Sequence, residues 1–86
     1  MEKKPKSDLE KQLIVLEALL ESVPTDGIPN GHLYVAFMSL LNADTYQNLL
    51  GFLKTNGGIV ERHDYLEQGG SYQALLNTLK AKLKTF

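Results

Sequence analysis

The sequence predicts a mainly α-helical domain that carries one small β-hairpin. Three observations lead there. Four segments place leucines and aromatics three and four residues apart, which gathers them on one side of a helix. One segment sets the β-branched pair Ile59-Val60 directly behind Gly57-Gly58, then repeats a short extended run after His63-Asp64. The 86 residues contain no cysteine, so there is room for one core and no disulfide to staple it.

Residues 1 to 6 are charged and broken by Pro5, which predicts a disordered tail and leaves 7 to 86 as the domain. Ser7-Asp8-Leu9-Glu10 fits a capping box in which Ser7 and Glu10 satisfy each other's backbone N–H groups. The first helix then carries Leu9, Leu13, Leu16 and Leu20 on one stripe, widened by Ile14, Val15, Ala18 and Leu19. Pro24 ends it, because proline disfavours helical angles at Val23 and supplies no N–H. Residues 24 to 31 hold two prolines and two glycines and read as a connecting loop anchored by Ile28.

Asn30 is a good N-cap residue for a second, short helix through Leu40, with Leu33, Phe37 and Leu40 turned inward. Asn42 caps a third helix, 43 to 54, on which Tyr46, Leu49, Leu50 and Leu53 form the apolar side. Asn56-Gly57 ends it with residues that tolerate left-handed backbone angles. Ile59 to Arg62 and Tyr65 to Glu67 form the hairpin, Gln68-Gly69-Gly70 breaks it, and Ser71 caps a fourth helix. Tyr72, Leu75, Leu76, Leu79 and Leu83 stripe that helix, and Lys80, Lys82 and Lys84 suit the negative end of its dipole.

Helices two and three are separated only by Leu41-Asn42, and Lys54 to Arg62 runs from the end of a leucine-rich helix through Gly57-Gly58-Ile59-Val60 to a charged pair. From Ile28 to Leu66, about half the chain, this pattern resembles the winged helix-turn-helix superfamily. The resemblance implies a three-helix core plus a wing, here flanked by a C-terminal helix. Leu33, Phe37, Leu49, Leu53, Val60 and Leu66 are then expected to converge with the first helix. In winged-helix DNA binders the third helix enters the major groove. That carries a DNA-contacting role onto Thr45, Gln47, Asn48 and Lys54, beside Asp44, and onto Arg62 and His63 of the wing. Gln47 and Asn48 are residue types that pair with adenine.

Charge argues the other way. The total is −1, but residues 23 to 50 hold Asp26 and Asp44 with no lysine or arginine, whereas 69 to 86 hold three lysines and no acid. Phosphate neutralisation supplies most non-specific affinity for DNA, and the reading helix offers only Lys54. A dimer doubles the available cations. The stripes of the first and fourth helices, Leu9, Leu13, Leu16, Leu20, Leu76, Leu79 and Leu83, either complete the monomer core or pair with a second copy, and a homodimer is the expectation.

Catalysis is not expected. His32 and His63 lack ligand or base partners at a useful spacing, Ser39 and Ser71 have no nearby base, and Gly57-Gly58 lacks the lysine of a phosphate loop. The absence of cysteine excludes zinc-thiolate and iron–sulfur sites, and no cofactor is expected. No stretch reaches the roughly 20 apolar residues of a membrane span, and no cleavable leader is recognisable, so the expected location is cytoplasmic. Two functions compete: a dimeric DNA-binding or transcription-regulatory module, and a protein-interaction module using tyrosines 34, 46, 65 and 72 and the leucine-rich helices. A winged helix serving only as a scaffold is the third.

Overall fold

The computed structural model describes residues 8–85. Its elements run α1 (Asp8–Glu21), β1 (Ile28–Pro29), α2 (Asn30–Phe37), α3 (Ala43–Thr55), β2 (Ile59–Arg62), β3 (Tyr65–Gln68) and α4 (Tyr72–Leu83). The chain is therefore mainly helical with a small antiparallel sheet, and all four expected helices are present. The capping box at Ser7 and the tail of residues 1 to 6 lie outside the described residues.

Local chemistry explains most element ends. Asn42 caps α3 by accepting from the Thr45 N–H at 2.8 Å. At the other end Gly57 takes φ +75°, and the N–H groups of Gly58 and Gly57 donate to the carbonyls of Leu53 and Lys54 at 2.9 and 3.1 Å. Those two bonds are the Schellman pair, and they aim the chain into β2. His63 and Asp64 form the two-residue hairpin turn with φ of 51° and 63°, the positive angles that a type I′ turn demands of both central residues.

The sheet has three strands in the order β1-β3-β2. The expected loop 24 to 31 contains β1, in which Ile28 pairs with Leu66 and Pro29 with Tyr65. Two residues give no periodic signal, and Pro29 fits only because β1 is an edge. The added strand answers the marginal stability of a lone hairpin. Pairing of Ile59 with Gln68 extends β3 through the residue expected to break it.

Leu19, Leu20, Val23, Leu33, Tyr46, Leu50, Leu53, Ile59 and Leu66 are fully buried in one apolar cluster, which Leu13, Leu16, Phe37, Leu76 and Leu79 extend. Two expected core positions are corrected. Leu40 is 72% exposed, because α2 ends at Phe37 and the following turn swings residue 40 outward. Val60 is exposed and its neighbour Ile59 is buried, since adjacent strand residues point to opposite faces and the register places Ile59 inward. Two caps are also corrected: neither Asn30 nor Ser71 makes a side-chain cap bond, and the N-cap of α2 is Pro29.

Two glycines report on opposite constraints. Gly27 has φ +87°, and a Cβ there would meet the Tyr65 ring at 2.5 Å and the Leu66 carbonyl oxygen at 2.8 Å. Gly51 lies inside α3 with open space where its Cβ would be. Gly27→Ala is expected to destabilise by about 1–3 kcal/mol from backbone strain before any clash. Gly51→Ala is expected to stabilise by about 0.5–1 kcal/mol through helix propensity. Urea unfolding of the two variants against the parent checks both signs.

Candidate functional site

The alternation of β2 that buries Ile59 also turns Glu61 inward, opposite Leu66 in the register. A carboxylate in that position needs partners for both oxygens. It has them: the Lys54 ammonium donates to Oε1, and Asn30 Nδ2 donates to Oε2 at 3.0 Å. Asn30 Oδ1 in turn accepts from the Tyr46 hydroxyl at 2.7 Å, and the Asn30 backbone N–H donates to the Asp64 carbonyl at 2.7 Å. One asparagine thus joins α2, α3, β2 and the hairpin turn, and Tyr46 is held further by an edge-on contact with Tyr34 at 5.1 Å between ring centroids.

This network shifts two titrations. The Lys54 bond, reinforced by the bond from Asn30 and the attraction of the ammonium, holds the Glu61 carboxyl below its ordinary value despite partial burial. Burial, together with the nearby Glu61 charge, pushes the Tyr46 hydroxyl up to about 12. Tyr46 therefore stays a proton donor across the whole neutral range.

The network also decides what the expected DNA-contacting residues can do. Lys54, the basic residue of α3, is engaged with Glu61 and only 34% of its side chain is exposed. Arg62 is 73% exposed and faces Glu67 at 3.7 Å, an exposed pair that constrains it little. His63 is exposed at the hairpin turn. The three polar residues of α3 do not converge. Gln47 borders a polar hollow with Asn30, Tyr34 and Asp64, Thr45 borders an apolar one beside α1, and Asn48 borders a third between α1 and α4.

Of the leucines expected to pair with a second copy, Leu20, Leu76 and Leu79 lie inside the monomer. Leu83 is half-buried. Leu9 is 58% exposed, and with Leu13 and Leu16 it lines the largest hollow, about 570 Å³, between α1, α3 and α4. Leu49 and Phe52 form its α3 wall and Lys82 and Thr85 its α4 end. A second hollow of about 390 Å³, lined by Ile14, Val15, Leu40 and Leu41, lies along the other flank of α1 and shares Gln12 and Leu49 with the first. Phe52 is the wall residue that periodicity overlooked. It is a large apolar side chain off the buried stripe of α3, and that departure is its signal.

Among the described residues no three His, Asp or Glu side chains gather as a metal site, and no helix is long and apolar enough to cross a membrane. Comparison with protein-family models, with curated proteins and with solved structures yields no match.

The shifted groups predict the pH dependence of stability. Glu61 has a lower pKa folded than its ordinary 4.5, so its contribution is present above that value and lost as acid protonates it in the folded state. Tyr46 has a higher pKa folded than its ordinary 10.0, so its contribution is present below pH 10 and lost as alkali ionises it near 12. Glu61→Gln is expected to cost about 1–2 kcal/mol near neutrality and to flatten the acid limb. Tyr46→Phe is expected to cost about 1 kcal/mol and to flatten the alkaline limb. Denaturant midpoints measured across the pH range test each limb separately.

Proposed function

We propose that the chain is a winged-helix-type binding module whose partner is a protein, engaged through the apolar hollows that flank α1. The order of α2, α3 and a two-residue hairpin, with a strand before α2 completing the sheet, supports the winged-helix assignment. The observation that carries the protein-binding reading is the capture of Lys54 by Glu61. It removes from the α3 face the one cation that a groove-reading helix would bring to phosphate. From residue 42 to 68 the chain carries four acids against two bases, so the hairpin side is repulsive to a polyanion. The surface beside α1 is instead apolar, with Leu9, Leu40 and Phe52 all exposed.

One observation favours the second reading, a dimeric DNA-binding or regulatory module. Gln47 and Asn48 are exposed on α3 beside a hairpin bearing Arg62 and His63, residue types suited to base edges and phosphates. A mobility-shift titration on mixed-sequence duplex DNA decides between the two. Protein binding predicts no shift at low salt with protein up to roughly 10 μM, within the concentration range where non-specific binders act. A shift that fades as salt rises and weakens on Arg62→Ala overturns it in favour of DNA.

A further inference from the structure

We propose that the occupant of the hollow between α1, α3 and α4 is a second copy of this chain, related by a two-fold axis beside the first turns of α1. The proposal rests on the protein-binding reading above and adds the identity of the partner.

Shape supplies the first argument. The hollows of about 570 and 390 Å³ lie on opposite flanks of α1 and meet at Gln12 and Leu49, so α1 stands between them as a ridge. Each copy thus offers one ridge and one furrow, and a two-fold axis lets each ridge enter the other copy's furrow. Leu9, more than half exposed at the start of the ridge, then seats against Leu49 and Phe52 of the other copy.

Charge supplies the second. The rim carries both signs: Asp8 and Lys11 on α1 and Lys82 on the last turn of α4. None of these three forms an ion pair among the described residues. A uniformly acidic partner helix would satisfy the lysines and meet Asp8, and a uniformly basic one would do the reverse. A copy turned by the two-fold sets Asp8 of one chain against Lys82 of the other, twice. Self-association therefore satisfies the rim that a partner of single sign leaves half repelled.

Sedimentation equilibrium of the full chain from about 1 to 200 μM tests this, a range spanning the affinities of small interfaces. The expected result is a monomer–dimer equilibrium between 9.6 kDa and twice that mass. Leu9→Glu and Phe52→Glu are each expected to weaken it about tenfold or more, whereas Val35→Glu, on α2 outside both hollows, leaves it unchanged. Asp8→Lys and Lys82→Asp should each weaken the dimer, and the double variant should restore it. The charge swap keeps the test decisive if Phe52→Glu perturbs folding by circular dichroism. A wild-type monomer throughout, assembly beyond a dimer, or a dimer indifferent to both the apolar and the charge variants overturns the proposal. The mobility shift described above reports separately on the protein-binding reading, so the two can fail independently.

Discussion

A carboxylate turned toward an apolar core costs several kcal/mol unless hydrogen bonds and an opposite charge offset its desolvation. Glu61 is in that position because Ile59, two residues earlier on the same strand, must be buried. Its two oxygens consequently require two donors from outside the sheet. Lys54 comes from the last turn of α3, and Asn30 comes from the start of α2. The angle at which both helices meet the hairpin is thus tied to one side chain. Tyr46 completes the arrangement, because a fully buried phenol also needs a partner and Asn30 has an acceptor left to offer.

The same constraint sets the electrostatics of the surface. If Glu61 pointed to solvent, Lys54 would be free and the end of α3 would present a cation beside Arg62. With Lys54 engaged, Asp44, Asp64 and Glu67 lie near that face, and only Arg62 remains loosely held. Net charge reads Lys54 and Glu61 as two surface charges. The structure makes them one neutral unit that serves the packing of α3 on β2.

Elements whose determinants are close in sequence were legible in it. The Asn42 cap needs only Thr45, the end of α3 needs only Asn56 and the two glycines, and the leucine stripes need only helical spacing. The misreadings share a cause: each depended on a partner far along the chain. Ile59 and Val60 are both β-branched and equally fit to be buried, so the register waits on β3 and on Gln68. The two residues of β1 are a strand only because Leu66 and Tyr65 lie beside them. Asn30 has the chemistry of a cap, and its side chain is drawn away from that task by Glu61, 31 residues later. For the candidate site, exposure of Gln47 and Asn48 followed from periodicity, whereas their facing different hollows depends on how α1 and α4 pack.

A domain this small cannot bury every apolar side chain, because its surface is large relative to its volume. What matters is where the remainder falls. Scattered exposed leucines need no explanation, but Leu9 and Phe52 lie on one hollow whose floor is Leu13 and Leu16. Truncating either would relieve water-exposed apolar surface at little expense to the core, so packing of the monomer does not account for their size. Burial against another surface does. The total charge of −1 bears on which surface that is, since two copies meeting at a mixed-sign rim carry almost no net repulsion to overcome. The acids of the hairpin face, which oppose a polyanion, are on the side reached through Asn30 and Glu61, and the lysines of α4 stand at the end of the hollow. That separation leaves the flanks of α1 as the place where apolar area and unpaired charges of both signs coincide.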